Sequence, residues 1–319
     1  MNLTTCERAS CLLFDIVAGV KGKWIIPENV CYAVYGAVVK AGAEVLLCDV
    51  DAKTLALDVE LTLQLVASHE DIAGVVYVRT YGDTSQDCTA FFARLRSASP
   101  DIIIVDDHCL APPQFEISKP IADVYLFSTG YSKVVDLGYG GYAYSQMALQ
   151  HRNSPYTQEA SVKFDQFIDR IIDNSQPVSD AEFQAEASSE WLKSGVIDSQ
   201  PYFDAIHNAL DKAIETRKRI NRIYDQLEIF FRAGAHFNQW RYIIKVENRE
   251  EIVTRLRSEK LYCGQHFYPL SYFTGKEGNH IWKRIYPGIL NLFNDFRYTE
   301  EQALRTVEVI QNHGRPWPE

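Results

Sequence analysis

The stretch from Asp101 to Tyr144 constrains the fold of this 319-residue chain most. It reads DIIIVDDHCLAPPQFEISKPIADVYLFSTGYSKVVDLGYGGYAY, and two apolar runs in it, Ile102 to Val105 and Val124 to Phe127, predict strands buried on both faces of a sheet. Before this stretch, predicted strands alternate with amphipathic helices. Such alternation favours a mainly parallel sheet with right-handed crossovers, that is, an α/β fold.

Polar side chains follow each of these two predicted strands. The first strand ends in Asp106 and Asp107, and the second is followed by Ser128, with Lys133 five residues later and the pair Gly140-Gly141 beyond it. Open α/β sheets bind ligands at the carboxyl ends of their strands. We therefore expect an acid, a hydroxyl and a lysine to meet at one edge of the sheet.

Pyridoxal phosphate (PLP) chemistry needs this set of groups. A lysine amine forms a Schiff base with the cofactor, a carboxylate keeps the pyridine nitrogen protonated, and hydroxyl and backbone N–H groups hold the phosphate. We assign these roles to Lys133, Asp107 and Ser128 respectively. A solvated loop lysine and a helix-capping aspartate would be the simpler explanation of either residue alone, but the ordered set favours the cofactor site.

The stretch resembles the DegT/DnrJ/EryC1/StrS family of PLP-dependent sugar aminotransferases, which have the fold-type I, aspartate aminotransferase-like fold. The family pattern is an acidic pair, a strand ending in Phe-Ser, a lysine five residues after the serine, and then Gly-Gly. The family usually has a glutamine three residues after the pyridine-binding aspartate, where this chain has Leu110. The resemblance implies a large PLP-binding domain over residues 1–204, followed by a linking helix and a small C-terminal α+β domain over residues 205–319.

The resemblance also implies cofactor contacts near the N-terminus. The phosphate-binding turn of the family corresponds to residues 7–10, so Arg8 and Ala9 are expected to bind the cofactor, although Glu7 and Arg8 could instead be first-turn charges of a helix. The residue that stacks on the cofactor ring corresponds to Cys31, as in some family members.

The match is looser beyond Tyr144. A long amphipathic helix is predicted from Ala205 to Phe231, and its charges are most simply a solvated face. The family's Gly-x-Asn-x-Arg turn, which reaches the partner subunit's active site, has no counterpart in the sequence. His266 lies in a stretch that resembles a turn of the family's small domain, and we expect it to be a packed or capping residue rather than a catalytic one.

Composition excludes several other classes of protein. The net charge of -10 argues against a nucleic-acid partner. The seven cysteines are scattered without CxxC spacing, which predicts free thiols and no metal site. No G-x-G-x-x-G follows the first predicted strand, so a nicotinamide site is unsupported. Neither a membrane span nor a signal peptide is evident, and a cytoplasmic protein is expected.

The resemblance implies a homodimeric aminotransferase that moves an amino group from glutamate or glutamine to a nucleotide-linked keto-sugar in polysaccharide or secondary-metabolite biosynthesis. A dehydratase of the same family would carry histidine in place of Lys133. The alternative is an altered PLP-binding or PLP-free relative that acts as a binding or regulatory subunit. Leu110, the missing turn and the late start of the resemblance, which lacks the family's N-terminal helix, favour that alternative.

Overall fold

A computed structural model describes residues 1–85, 87–149, 154, 156–227, 230, 239–276 and 281–318. Within them the strands are β1 (Asn2–Cys6), β2 (Lys23–Pro27), β3 (Glu44–Cys48), β4 (Ile72–Val78), β5 (Ile103–Asp107), β6 (Val124–Ser128), β7 (Gly141–Ser145), β8 (Tyr242–Lys245), β9 (Cys263–Gly264) and β10 (Ile289–Leu292). The helices are α1 (Ala9–Ala18), α2 (Tyr32–Lys40), α3 (Val59–Ser68), α4 (Thr89–Ala98), α5 (Gln158–Asn174), α6 (Asp180–Glu186), α7 (Ser199–Tyr224), α8 (Arg249–Ser258), α9 (Leu270–Thr274), α10 (Ile281–Ile285) and α11 (Glu300–His313).

The larger sheet has the strand order β1-β7-β6-β5-β4-β2-β3. The five strands from β3 to β6 in this order are parallel, whereas β7 runs antiparallel to β6 and to β1. The carboxyl ends of β4, β5 and β6 therefore lie at one edge, where β7 begins. Asp107 and Ser128 are the last residues of β5 and β6, so both lie at this edge.

Helices cover both faces of the larger sheet. The apolar sides of α1, α2, α5 and α6 form one core with the strands, and those of α3, α4 and the first half of α7 form the other. The central strands alternate between these two cores; for example, Val105 faces the first and Ile104 the second. This arrangement confirms the α/β fold with a mainly parallel sheet.

A second, three-stranded antiparallel sheet has the order β8-β10-β9. It forms its own core with α8, α11 and the second half of α7. Because α7 contributes to the cores of both sheets, a domain boundary at residue 204 would fall inside this helix. The division into residues 1–204 and 205–319 stays a prediction, and residues 228, 229 and 231 of the predicted long helix lie outside the described residues.

Candidate active site

The ionised carboxylate of Asp106 is paired with the side chains of its neighbours. Its two carboxylate oxygens accept from Arg79 Nε at 2.7 Å and Arg79 Nη2 at 2.8 Å, and His108 Nε2 lies 3.1 Å from Oδ2. Burial alone would raise the pKa of Asp106, but the charges and hydrogen bonds of His108 and Arg79 outweigh it and lower this pKa to about 2. Asp106 is therefore committed to an ion pair within the fold.

Asp107 lies in a different environment. Its carboxylate is buried, and Oδ1 accepts the backbone N–H of Cys109 at 2.8 Å. No Lys, Arg or His nitrogen of the described residues forms an ion pair with it, and burial raises the pKa of Asp107, an effect that the nearby positive charge of Lys133 opposes. A buried carboxylate in this condition is suited to accept a cationic ligand group.

Lys133 lies in the turn that follows β6, with its backbone N–H 3.2 Å from the carbonyl of Gly130. Its charge acts on side chains from three other segments. Burial raises the pKa of Cys31, and Lys133 opposes that shift; desolvation of the imidazole and the charges of Arg241 and Lys133 lower the pKa of His266 to about 4. Lys133 is therefore near enough to Asp107 and Cys31 for its charge to act on both, and the site assignments of these three residues stay predictions.

Ser128 and Ala9 meet around Gly141. Gly141 pairs with Ser128 across β6 and β7 and with Cys6 across β7 and β1. A Cβ on Gly141 would lie 2.6 Å from Ala9 Cα, so the first residue of α1 rests directly on this glycine. The hydroxyl of Ser128 accepts the backbone N–H of Gly130 at 3.3 Å. A serine hydroxyl thus lies close to the N-terminus of α1, an arrangement suited to binding a phosphate.

Arg8 and Glu7 are directed toward the segment between residues 154 and 195. The guanidinium of Arg8 donates to Ser161 Oγ and lies 5.0 Å from the ring centre of Tyr156. The carboxylate of Glu7 accepts the backbone N–H of Gly195 at 2.6 Å and that of Tyr156 at 3.2 Å. Arg8 precedes α1 as its N-cap residue, and a contact of its side chain with a phosphate stays a prediction.

Apolar residues line the side of the site that faces the smaller sheet. Leu110 packs in a buried cluster with Tyr81, Val134 and Trp240, and Cys31, the N-cap residue of α2, contacts the same cluster. Leu110 therefore supplies packing where the family's glutamine could supply a hydrogen bond.

These residues fit PLP, with one contact fewer than the family pattern. The buried Asp107 carboxylate can pair with a protonated pyridine nitrogen, and Lys133 is close enough for its charge to act on that carboxylate. The glycine under the first residue of α1 leaves the phosphate end of the site open to backbone N–H groups. Leu110 cannot donate to the cofactor.

The sequence analysis missed two residues that bind the turn containing Ser132 and Lys133, called the lysine turn below. Trp240 and Arg241, at the start of the smaller sheet, donate hydrogen bonds to Ser132, next to Lys133. Their types would not have identified them, because a tryptophan and an arginine before a strand are ordinary structural residues. His266 is exposed, although its ring centre lies 5.3 Å from those of Trp240 and Phe267, and its expected role as a packed or capping residue stays a prediction.

Among the residues that the structure describes, no group of three or more His, Cys, Asp or Glu side chains is placed to hold a metal ion. The helices of the same residues include none that is long and apolar enough to span a membrane.

Comparison with known proteins is consistent with this geometry. A sequence model of the DegT/DnrJ/EryC1/StrS aminotransferase family matches residues 4–112, which run from within β1 to beyond β5 and include Asp107. A search of curated proteins found no match. The family match therefore covers about a third of the chain.

Solved structures match over almost the whole chain. Spr1654 of Streptococcus pneumoniae, described as a candidate sugar aminotransferase and solved in PLP and PMP forms, is 17% identical in its PLP form, with 97% of this chain and 86% of that chain covered at a TM-score of 0.69. A DegT DnrJ EryC1 StrS aminotransferase of Brucella abortus is 17% identical, with 98% and 86% covered and a TM-score of 0.66. The sugar aminotransferase CalS13 of Micromonospora echinospora is 15% identical, with 97% and 87% covered and a TM-score of 0.67.

At these identities the structural matches establish the fold, while the family match over residues 4–112 shows a similarity to PLP-dependent aminotransferases. The recognition made from the sequence is therefore confirmed: the chain matches the DegT/DnrJ/EryC1/StrS aminotransferase family over residues 4–112 and has the fold-type I architecture of its sugar aminotransferases.

Proposed function

We propose that this protein transfers an amino group from glutamate or glutamine to a nucleotide-linked keto-sugar, in polysaccharide or secondary-metabolite biosynthesis. One observation carries the site assignment. Of two adjacent buried carboxylates, Asp106 is neutralised within the fold, whereas Asp107 lies near Lys133 without an ion pair among the described residues. That asymmetry supports Asp107 as the partner of a cationic pyridine nitrogen.

Each predicted site residue has one role in this proposal. With PLP bound, Lys133 Nζ would hold the cofactor, and its free amine would serve as the base that moves a proton at the donor carbon. Asp107 keeps the pyridine nitrogen protonated, and Ser128, Arg8 and the backbone of Ala9 bind the phosphate. Cys31 packs against the ring.

The cofactor supplies the electron sink that makes the bond to hydrogen at the amino-bearing carbon acidic. The chain provides the charge opposite the ring nitrogen, the base and a largely apolar wall. Leu110, Trp240 and Tyr81 belong to that wall, which keeps water away from the reacting groups.

The keto-sugar acceptor is proposed because of the solved relatives, several of which are described as sugar aminotransferases. A homodimer is proposed because fold-type I sites are usually built from two chains, and a cytoplasmic location is proposed as well. The domain division at residues 204 and 205 remains part of the proposal.

The cofactor assignment is tested by reducing the PLP-loaded protein with borohydride and mapping its peptides by mass spectrometry. The pyridoxyl group should be found on Lys133. A label on another lysine, or none with PLP in excess, would contradict the assignment. The acceptor is tested by asking which nucleotide-linked keto-sugar returns the PMP-loaded protein to the PLP form.

A second candidate is a family member that binds PLP weakly or not at all and acts as a regulatory subunit. The burial of Leu110 in an apolar cluster favours it, because this side chain leaves one expected cofactor contact unfilled. Absorbance of the purified protein in the band of a PLP Schiff base separates the two candidates.

A further inference from the structure

We infer that the C-terminal part of the chain positions Lys133 through a hydrogen bond between Arg241 and Ser132. This inference rests on the proposed function of Lys133 and goes beyond it, because it assigns a role to residues more than a hundred positions away. It makes Arg241 and Ser132 positioning residues, since neither is placed to touch the reacting atoms.

Ser132 itself has an unusual backbone conformation. Its φ is +66°, in the left-handed region that residues with a Cβ seldom adopt. The residue is held there by three contacts: its N–H donates to Asp136 Oδ2, its carbonyl accepts from Trp240 Nε1, and its Oγ accepts from Arg241 Nη2, each at 2.6 Å. The backbone that leads into Lys133 is therefore fixed on several sides.

The backbone of Lys133 itself is held in the same way. Its carbonyl accepts from Arg217 Nη2 at 3.0 Å, and Arg217 is a buried residue of α7. The peptide groups before and after the Lys133 Cα are thus both bonded to side chains from beyond residue 200. These contacts therefore fix the position of the Lys133 Cα, from which the side chain extends to its amine.

These contacts close a ring that runs through Ser132, Arg241, Asp295, Arg297 and Asp136. Arg241, 1% exposed, also donates from Nη1 to Asp295 Oδ2 at 2.8 Å, and Arg297 Nη1 lies 3.0 Å from the same oxygen. Arg297 in turn contacts Asp136, which accepts the N–H of Ser132. Buried networks of this kind are rigid when every member is satisfied, so breaking one bond should loosen the turn.

The consequence is that the smaller sheet sets where the Lys133 amine lies relative to Asp107. Lys133 would still react with PLP if the turn were loose, because its side chain is flexible. However, the amine would have to be ordered each time the cofactor binds, and affinity would fall. A hydrogen bond to a charged partner such as Arg241 corresponds to about a tenfold change in affinity or more.

The test uses Ser132→Ala, which removes the hydroxyl and keeps the Cβ, and Arg241→Lys, which keeps the charge but loses the forked donor. Ser175→Ala is the matched control, because Ser175 also has a positive φ, +51°, but is exposed at the end of α5. The dissociation constant for PLP is measured for each variant, for the double variant Ser132→Ala/Arg241→Lys, and for the wild type. Hydrogen exchange of the segment 130–137 and the unfolding midpoint are measured on the cofactor-free proteins.

Both single variants should bind PLP about tenfold more weakly than the wild type, and the double variant no more weakly than the worse single one. Exchange in the segment 130–137 should rise in both, while Ser132→Ala and Ser175→Ala keep similar unfolding midpoints. Effects that add in the double variant, or unchanged exchange and affinity in Ser132→Ala, would overturn the inference. If the wild type leaves no pyridoxyl group on Lys133, the proposed function fails, and the exchange measurement still decides whether Arg241 holds the turn.

Discussion

Asp106 and Asp107 are adjacent and both buried, so their different surroundings make a matched pair of mutations. Asp107→Asn should leave the fold and the labelling of Lys133 intact while slowing proton transfer about 100-fold or more, because an amide cannot keep the pyridine nitrogen protonated. Single-turnover rates of the amino-donor half-reaction measure this effect.

Asp106→Asn is the control for that experiment, since it should transaminate far more normally than Asp107→Asn. If Asp106→Asn were instead the crippled variant and Asp107→Asn nearly normal, the roles of the two carboxylates would be reversed. Normal rates in both variants would remove the electron-sink role from this pair.

The free energy of unfolding should fall more in Asp106→Asn than in Asp107→Asn, the opposite of their order in activity. The pKa of Asp106 is lowered to about 2 from its ordinary value of 3.8, so its ionised form stabilises the fold above pH 4, and this contribution is lost as the pH falls toward 2. We expect Asp106→Asn to lower the free energy of unfolding at pH 7 by about 2 kcal/mol or more, because Arg79 also loses its partner. Urea denaturation at pH 7 and at pH 3 measures it.

The pKa of Asp107 is shifted in the opposite direction to that of Asp106. Burial raises the pKa of Asp107, so its ionisation costs stability as the pH rises above the unfolded value. In the cofactor-free protein, Asp107→Asn should therefore be neutral or stabilising at pH 7. A loss of stability larger in Asp107→Asn than in Asp106→Asn would contradict both assignments.

At the scale of elements, the contact between α1 and β7 depends on a glycine. Gly141→Ala would place a methyl group 2.6 Å from Ala9 Cα, a backbone atom that cannot rotate away. We expect a loss of about 1–3 kcal/mol in the free energy of unfolding and weaker PLP binding, because the N-terminus of α1 is displaced from Ser128.

Gly138→Ala is the control for this prediction. Gly138 has a φ of +78° but open space around it, so its alanine variant suffers backbone strain without a clash. It should lose about 1–2 kcal/mol of stability and keep its PLP affinity. Equal effects of both variants on PLP binding would mean that the approach of α1 to β7 is not what forms the phosphate end.

Several strands and helices were predictable because their apolar residues follow the period of the element. The apolar run from Ile102 to Val105 marks β5, but the strand continues to Asp107, because Asp106 and Asp107 keep their backbone pairing with Tyr77 and Val78 of β4. Hydrophobic pattern cannot detect such charged strand ends. The antiparallel strand β1 was also missed, since its pairing with β7 joins residues about 140 positions apart.

Contacts between residues far apart in the sequence also limited the prediction at the scale of the whole molecule. Lys133, Asp107 and Ser128 could be proposed from the sequence because each lies at or just after the carboxyl end of a parallel strand, and topology alone brings such ends together. The bond from Arg241 to Ser132 joins residues 109 positions apart, and it depends on how the smaller sheet packs against the larger one. No local pattern specifies that packing, so this half of the site emerged only from the structure.

The last prediction concerns the assembly. Tyr131 and Phe296 are 74% and 67% exposed, lie next to the lysine turn, and have the guanidinium of Arg297 within 4.7 Å of both ring centres. Exposed aromatic and arginine side chains are typical of interfaces, so we expect a homodimer of about twice 36.4 kDa whose contact includes this patch. Sedimentation velocity at micromolar concentration should show the dimer, and Tyr131→Ser/Phe296→Ser should weaken it about tenfold or more. Tyr262→Ser, an equally simple change at a 58% exposed tyrosine elsewhere, should not. A wild-type monomer would contradict the dimer, and equal effects of the two changes would place the interface away from Tyr131.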